Sequence, residues 1–324
     1  MSTPTKTSRG HVLVAGASGL VGGYLTAQLL EDGFSVRAIG KSPLEKWKQL
    51  HTEAENISLD LSLRENCYRV MEGIDTVYNL AAEIGGVSFI EKQKAQTMLS
   101  VLINTHLLLA ARDARVGRYF YASTNALAAA EVPQSGKALI DIIEDGHIWE
   151  KLFSEKLCKY FREDFGLQTR IGRLQNVYGP FDGYDGGRER APAALCRKAV
   201  IAKHTGNHTL EIWGDGSQTR SFIYAPDAAI GIRKLTESAI VDAVRLGSRI
   251  YVTINDLVDA VESAAGITFE RVYNTDAPRG IDRLFPPDTK ADKEFNWLPA
   301  TSLKKGIKEM YDWIEKDMKA KGKI

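Results

Sequence analysis

The sequence has little cysteine and no surplus of charge of either sign. Its 324 residues include three Cys, which lie far apart and in no metal-ligand spacing, so we expect neither a disulfide framework nor a bound metal. The 42 Lys and Arg against 41 Asp and Glu argue against whole-protein attraction to nucleic acid or to anionic membranes. Any phosphate binding must therefore be local.

Long apolar runs are also missing. No window approaches the roughly 18 apolar residues of a membrane span, and the polar residues 1–10 lack the apolar core of a secretion signal. We therefore expect a cytoplasmic protein with no membrane partner and a flexible start at 1–10. The length and the 44% of hydrophobic residues suffice for a large core.

Strand-length apolar runs alternate with helix-length amphipathic stretches in the first half of the chain. The pattern predicts strands at His11–Gly16, Phe34–Ile39, Asn56–Leu59, Asp75–Leu80 and Arg118–Ser123, with helices at Leu20–Glu31, Arg64–Met71 and Lys92–Arg112. Such alternation predicts an α/β fold with a Rossmann-type doubly wound parallel sheet. Its ligand is expected at the carboxyl ends of the strands.

The pattern changes after Gly179-Pro180. A Gly- and Asp-rich loop, Phe181–Arg190, precedes a helix at Ala191–His204 and a strand at Thr209–Trp213, and an amphipathic helix near Leu303–Met318 ends the chain. We expect residues 11–175 to form mainly the sheet domain and residues 176–324 a smaller α/β substrate-binding lobe. Segments of that lobe should return to the first domain, because the sequence shows no clean linker.

A glycine pattern, Gly16-Ala-Ser-Gly19-Leu-Val-Gly22, follows the first strand and opens a helix. In such a loop the glycines allow a tight turn and a close backbone approach to a pyrophosphate, which the helix amino end attracts. A plain strand-to-helix turn would look similar, but the surrounding strand–helix–strand unit favours a dinucleotide such as NAD(P). The residues expected to contact it here are Gly16, Ser18, Gly19, Leu20, Val21 and Gly22.

The end of the second predicted strand carries no carboxylate for the adenosine ribose. Lys41 and Ser42 stand there instead and could accept a 2′-phosphate, which leans slightly toward NADP(H); the alternative is a solvated Lys41 with the ribose held by backbone. Asp60 follows the third strand and either holds the adenine or caps a helix. Leu61 and Ala81 complete the expected cofactor contacts.

These motifs, with Asn79–Ala82, Tyr121–Thr124 and a Lys151 that opens a long helix, resemble the extended short-chain dehydrogenase/reductases that act on nucleotide sugars. More narrowly, the chain resembles the GDP-mannose 3,5-epimerases in its segments Glu83–Gly86, Arg170–Arg173, Asn176–Pro180, Gly186–Pro192, Cys196–Lys198 and Trp213–Phe222. The likeness is densest from Phe165 to Phe222 and weak after Ser238. It implies an enzyme, a bound nicotinamide, a nucleotide-sugar substrate and a homodimer.

In the resembled enzymes a Tyr-x-x-x-Lys pair and a Ser/Thr support hydride transfer at sugar C4, and a Cys and a Lys invert neighbouring centres. This chain departs from that pattern at each proton-transfer position. The tyrosine position holds His147, the cysteine position Ala126 and the second lysine position Arg190, whereas Thr124 and Lys151 remain. Alanine has no exchangeable proton, and arginine is a poor base. The resemblance therefore carries the fold and the binding site but not the reaction.

His147 lies four residues before Lys151, so both can point from one helix face toward the cofactor cleft. A neutral imidazole can take a hydroxyl proton without help from a lysine. The alternative is that His147 is inert and the oxidoreductase step has been lost. Trp149, on another face of the helix, is assigned to packing.

Substrate contacts are expected from both halves of the chain. Gly86, Ser123 and Asn125 follow strands of the first half, although Asn125 could equally serve a turn. Guanidinium and ammonium groups of the second lobe suit a diphosphate, and an amide suits sugar or phosphate oxygens. The candidates there are Asn176, Arg188, Arg190, Lys198, Arg220 and Arg279.

Three functional hypotheses follow. The first is an NAD(P)-dependent enzyme that transforms a nucleotide sugar, GDP-linked by resemblance, with Thr124, His147 and Lys151 as its catalytic residues. The second is a lyase or isomerase of another phosphorylated or nonsugar metabolite, without net hydride transfer. The third is a noncatalytic sensor of nucleotide sugar or NAD(P).

Overall fold

A computed structural model describes residues 9–127, 145–277 and 290–324. The strands are β1 His11–Ala15, β2 Ser35–Gly40, β3 Glu55–Ser58, β4 Thr76–Asn79, β5 Arg118–Thr124, β6 Gln168–Leu174, β7 Asn176–Tyr178, β8 Thr209–Trp213, β9 Thr219–Arg220, β10 Phe222–Tyr224, β11 Val244–Leu246, β12 Val252–Thr253 and β13 Glu270–Asn274. The helices are α1 Leu20–Glu31, α2 Arg64–Arg69, α3 Val87–Lys92, α4 Lys94–Met98, α5 Ser100–Asp113, α6 Gly146–Phe165, α7 Ala191–Thr205, α8 Ala225–Glu237, α9 Ile254–Ala265, α10 Lys290–Phe295 and α11 Leu303–Ala320, with a 3₁₀ turn at Leu44–Lys46.

Seven of these strands form one parallel sheet in the order β3-β2-β1-β4-β5-β6-β11. The order runs in opposite directions on the two sides of the β1–β4 pair, which is the switch point where ligands of doubly wound sheets bind. The predicted fold class is confirmed.

The central strand β1 is apolar on both faces, as a parallel strand covered on both sides must be. Val12 and Val14 pack in a cluster with residues of α1 and α8, whereas Leu13 and Ala15 pack in another with residues of α5 and α6. Successive side chains of a strand point to opposite faces, so these two clusters are the two layers of core that enclose the sheet. With both faces of the sheet covered, the carboxyl ends of its strands remain for a ligand.

The second lobe contains three two-stranded sheets, β7 with β10, β9 with β12 and β8 with β13. Helices α7, α9 and α11 bury a separate apolar cluster beside them. Helix α8 and strand β11, by contrast, lie with the large sheet. The chain thus leaves the first half and returns to it, while the boundary near residue 175 stays a prediction.

Most predicted elements fall within two residues of those observed, with one clear difference. The helix predicted at Lys92–Arg112 is broken, because α3 ends at Lys92, Gln93 leaves the helical region with φ −123° and ψ 43°, and Leu99 lies between α4 and α5. No helix among the described residues is long and apolar enough to cross a membrane.

Candidate active site

The glycine loop forms a tight cradle beside the carboxyl ends of β2 and β4. Gly16 has φ +86°, and a Cβ there would lie 2.8 Å from the backbone carbon of Leu80. A Cβ on Gly22 would lie 2.2 Å from the carbonyl oxygen of Gly16, a distance that real side chains do not reach. Both positions therefore require glycine.

The amino end of α1 suits a pyrophosphate. Its N-cap is Gly19, and no side chain caps it, so the first backbone N–H groups of Leu20 and Val21 can meet an anion. No acidic residue lies in the first turn. The cradle and the uncapped helix end together fit NAD(P), with Ser18 placed over Gly40, where a Cβ would lie 2.5 Å from the Ser18 Oγ.

The adenosine side of this cradle is formed at the ends of β2 and β3. The Lys41 Nζ lies 3.1 Å from Asp60 Oδ2 and 3.7 Å from Glu83 Oε1. Asp60 Oδ1 accepts from the Ser62 N–H at 2.9 Å, and against the opposing effect of burial this N–H and Lys41 lower the pKa of Asp60. Asp60 therefore both shapes the turn and balances Lys41.

Other predicted cofactor contacts lie nearby with less accessible side chains. Leu61 is buried in the core, so only its backbone remains for a ligand. The Ala81 N–H donates to Asn79 Oδ1 at 3.2 Å, and the Ser42 carbonyl accepts from Trp47 Nε1 at 2.8 Å.

Strand β5 ends with two hydroxyl residues that form different hydrogen bonds. The buried Ser123 donates its hydroxyl to Glu155 Oε1 at 2.5 Å, whereas Thr124 Oγ1 accepts from the Ala126 N–H at 3.3 Å. Thr124 can thus donate its own hydrogen to a ligand. Among the described residues, nothing forms a hydrogen bond with the buried Asn125 Oδ1, an arrangement that favours a bound donor group.

Lys151 is held by two hydrogen bonds and an ion pair. Its Nζ donates to the Tyr121 hydroxyl at 3.1 Å and to the Ala122 carbonyl at 3.2 Å, and lies 3.2 Å from Glu150 Oε2. Within the part of the chain that the structure describes, Glu150 Oε2 accepts no hydrogen bond, so these contacts use two of the three N–H donors of the ammonium group. Burial, and secondly Glu150, raise the pKa of Tyr121 far above its ordinary value, so the phenol stays neutral and donates to Glu150 Oε1 at 2.8 Å.

His147 lies in the first turn of α6, one turn before Lys151. Asp145 caps this helix by accepting from the His147 N–H at 2.8 Å and the Ile148 N–H at 3.2 Å. The His147 side chain is 7% exposed. Burial, and secondly the charge of Lys151, lower its pKa to about 3, so the imidazole is neutral at physiological pH. The structure therefore brings His147 and Lys151 together, as predicted.

Two arginines of the loop before α7 each pair with a carboxylate, Arg188 with one in the first half of the chain and Arg190 with one in its own loop. Arg188 Nη1 lies 3.2 Å from Glu83 Oε2, and its carbonyl accepts from the Gly86 N–H at 3.1 Å. Arg190 Nη2 lies 3.0 Å from Asp182 Oδ1. Both guanidinium groups are partly exposed and already carry a carboxylate partner.

The remaining predicted substrate residues are spread along the second lobe. The exposed Asn176 donates to the Ser221 carbonyl at 3.0 Å, Arg220 to the Thr219 carbonyl at 2.7 Å and Lys198 to the Glu211 carbonyl at 3.5 Å. Burial lowers the pKa of Lys198. Arg279 lies outside the described residues.

The sequence reasoning missed the buried acids of α6. Glu150 pairs with Lys151, and Glu155 accepts from Ser123 while pairing with Arg173, whose Nη2 lies 2.7 Å from Glu155 Oε2. The one available signal was the helical spacing, since Glu155 follows Lys151 by one turn and must share its face. Glu155 thus holds the Ser123 hydroxyl, and Glu150 pairs with the Lys151 ammonium group. The sequence had predicted both Ser123 and Lys151 as site residues.

The family of the chain follows from this arrangement and from comparison with known proteins. Residues 12–247 match the model of the NAD dependent epimerase/dehydratase family. The chain belongs to that family. The predictions of an enzyme of this NAD(P)-dependent family and of a Rossmann-type fold are confirmed.

Curated relatives extend over nearly the whole chain. A GDP-mannose 3,5-epimerase of Arabidopsis thaliana is 33% identical, covering 96% of this chain and 84% of its own length. A dTDP-4-dehydro-6-deoxy-D-allose reductase of Streptomyces bikiniensis is 28% identical, with 94% and 95% covered.

Solved structures show the same fold at lower identity. The UDP-glucose 4-epimerase of Thermotoga maritima with UDP-glucose has a TM-score of 0.83 at 20% identity, over 95% of this chain and 99% of that one. The UDP-glucuronic acid 4-epimerase of Bacillus cereus, in complex with UDP-glucuronic acid and NAD, has a TM-score of 0.80 at 24% identity, over 94% and 99%. NAD is thus the nucleotide recorded with that neighbour.

Proposed function

We propose that this chain is an NAD(P)-dependent enzyme that transforms a nucleotide sugar, with His147 as acid and base in the position of the family's tyrosine. The observation that carries the proposal is a buried neutral imidazole one helical turn from Lys151, whose Nζ contacts the Ala122 carbonyl of β5. A neutral imidazole has a lone pair for a hydroxyl proton.

Each residue has a distinct part in this proposal. Thr124 donates to the sugar C4 oxygen and orients the hydroxyl toward the imidazole. His147 accepts the hydroxyl proton and later returns it. Because its pKa of about 3 makes it a weak base in the resting state, we expect the negative diphosphate of the substrate to favour the protonated form. NAD(P), when bound, supplies a hydride acceptor and donor.

Lys151 would hold the nicotinamide ribose with the N–H donor that its recorded hydrogen bonds do not use. Its Nζ donates to Tyr121 and Ala122 and forms an ion pair with Glu150 without a hydrogen bond. An ammonium group has three N–H donors, so the third can meet a ribose hydroxyl while the ion pair keeps the charge in place.

A GDP-linked sugar is the first substrate to test, because the relative of 33% identity is named GDP-mannose 3,5-epimerase. Purified protein would be incubated with GDP-mannose and its 4-keto derivative while nicotinamide absorbance and deuterium uptake from solvent are followed. We expect turnover with a net reaction other than the family's 3,5-epimerisation. If NAD(P) and GDP-mannose both bind but neither the nicotinamide absorbance nor the deuterium uptake changes, the sensor is favoured. Full turnover by protein stripped of nicotinamide would favour the lyase or isomerase.

Variants at position 147 separate the roles. H147Q should lower turnover by on the order of a hundredfold or more while leaving GDP and NAD⁺ affinities close to wild type. H204Q, at an exposed histidine of α7, is the matched control. H147Y restores the family's tyrosine and tests whether the site still accepts a phenol. Equal turnover in H147Q and wild type would remove His147 from catalysis.

The choice between NAD and NADP rests on Lys41. Its charge favours a 2′-phosphate, whereas its contact with Asp60 offsets that charge. We propose that Lys41 contributes modestly to NADP(H) affinity. K41Q should then weaken NADP⁺ binding several-fold without changing NAD⁺ binding, as measured by titration calorimetry. Equal effects on the two nucleotides would exclude Lys41 from cofactor selection.

We also propose a homodimer through α6 and the end of α4. Trp149, which was assigned to packing rather than to a ligand, is 47% exposed, and it shares one helix face with the exposed Phe153 and Tyr160. Leu99 and Leu102, which follow α4, are also exposed, and α4 packs against α6. Such a patch marks an association surface. F153K should shift the protein from dimer to monomer in light scattering, whereas K159Q on the same helix should not.

A further inference from the structure

Lys48 belongs to the cofactor-binding half of the molecule but contacts the substrate loop, defined as residues 179–190. Its Nζ donates to the Asp182 carbonyl at 2.7 Å. The same ammonium lies 5.4 Å from the ring centroid of Tyr184 and 5.2 Å from that of Trp313. A carbonyl and two aromatic faces thus hold one cation, a combination suited to Lys48 in its charged form.

The loop starts in a conformation that needs outside support. Phe181 has φ +70°, a left-handed conformation that bulky residues rarely adopt. Its ring lies 5.9 Å from that of Tyr24 on α1 and 5.3 Å from that of Trp313 on α11, and the Tyr24 hydroxyl donates to the Pro180 carbonyl at 3.4 Å. A strained residue persists where its surroundings fix it, so contacts from both halves keep the loop in place.

The Asp182 carboxylate connects the start of the loop to Arg190. The Asp182 side chain is 9% exposed, and its Oδ1 accepts from the Gly183 N–H at 2.9 Å and from Arg190 Nη2 at 3.0 Å. Arg190 itself is partly exposed and directly precedes α7. Lys48 thus holds the backbone carbonyl of Asp182, and the Asp182 carboxylate holds the Arg190 guanidinium.

The segment around Lys48 is fastened to the cofactor cradle. Trp47 Nε1 donates to the Ser42 carbonyl at 2.8 Å, and Gln49 Nε2 donates to the Leu20 carbonyl at 3.0 Å. His51 Nε2 lies 3.0 Å from the Gly23 carbonyl oxygen. Lys48 is therefore flanked by anchors to the ribose edge and to the phosphate-binding turn of α1.

We propose that Lys48 is a positioning residue that ties the substrate loop to the cofactor cradle, so that filling the cradle steadies Asp182 and sets Arg190 in place for the substrate. The inference rests on the proposed function in naming a nucleotide sugar as the group that Arg190 meets. The linkage itself concerns NAD(P) and the loop alone.

Hydrogen exchange with mass spectrometry tests the linkage without any turnover. Addition of NAD⁺ should slow exchange of the amides in 179–190 in wild type and in K48R, which keeps the cation, but not in K48M. K46M, at the end of the 3₁₀ turn, is the matched control and should behave like wild type. With NAD⁺ present, GDP should bind K48M about tenfold more weakly than wild type, and the increase in GDP affinity that NAD⁺ produces in wild type should be absent from K48M.

The outcomes separate the two proposals. Protection of the loop by NAD⁺ that is lost in K48M and kept in K48R supports the linkage, even where GDP fails to bind. NAD⁺ binding without loop protection in wild type, or with equal protection in K48M, overturns the linkage and leaves the proposed function standing. Absence of NAD(P) binding overturns both.

Discussion

The floor and the rim of the candidate site are built in different ways. The floor consists of the glycine loop, the end of β5 and the inward face of α6; the rim consists of the second-lobe cations, among them Arg188 and Arg190. Floor contacts are buried and tightly spaced, such as the Arg173–Glu155 pair with side chains 10% and 8% exposed. On the rim, the Arg188 side chain is 54% exposed.

This difference bears on what each part can contribute. Buried ion pairs leave an uncompensated charge when one partner is removed, whereas exposed pairs exchange readily with water and salt. We therefore expect the floor to determine stability and cofactor binding, and the rim to contribute mainly to the capture of an anionic substrate. Four variants, ordered from the largest expected effect, test this division.

The largest effect is expected at Gly22 in the floor. A Cβ there would overlap the Gly16 carbonyl at 2.2 Å, so G22A should lower the free energy of unfolding by several kcal/mol and abolish measurable NAD⁺ binding. Thermal unfolding and an NAD⁺ titration measure both. The control is G183A on the substrate loop, where a Cβ meets nothing within 4 Å, and it should stay within about 0.5 kcal/mol of wild type.

The next largest effect is expected at Arg173. R173M would leave the Glu155 carboxylate buried without its 2.7 Å partner, which should lower the free energy of unfolding by about 3–5 kcal/mol in urea titrations. Because Ser123 donates to the same carboxylate, the end of β5 should also loosen. A loss below about 1 kcal/mol would mean that this buried pair stabilises the fold no more than an exposed pair of the rim.

His147 should give the floor a pH dependence. Its pKa is about 3 in the folded chain and ordinarily 6.5, so the unfolded state binds more protons between these values. Stability from this group is present above about pH 6.5 and is lost as pH falls, by about 2 kcal/mol between pH 8 and pH 5. H147Q should remove this slope from urea titrations across pH. Parallel curves for H147Q and wild type would contradict burial of the imidazole.

The sequence was sufficient for the parts of the site that backbone geometry dictates. Gly16 and Gly22 could be predicted because a side chain there would collide with neighbouring backbone, and His147 with Lys151 because helical spacing places them on one face. The alternation of strands and helices likewise predicted the parallel sheet.

Pairing partners distant along the chain could not be predicted. Glu83 meets Arg188 across 105 positions, and Lys48 meets Asp182 across 134. No local pattern encodes such contacts, because they arise only when the second lobe folds back onto the first. The break at Gln93 was missed for a related reason, since the residues around it keep good helix propensity and a change of backbone angle alone separates the helices.

The smallest effect is expected at Arg188 on the rim. Its guanidinium carbon lies 4.1 Å from the Phe89 ring centroid and one nitrogen lies 3.2 Å from Glu83, but more than half of the side chain is exposed. R188Q should therefore change the free energy of unfolding by less than about 1 kcal/mol. Its effect should appear instead in GDP affinity, and more at low salt than at high salt, because salt screens exposed charges. A loss of several kcal/mol of stability with unchanged GDP affinity would mean that the rim supports the fold, and the division between floor and rim would fail at its most exposed residue.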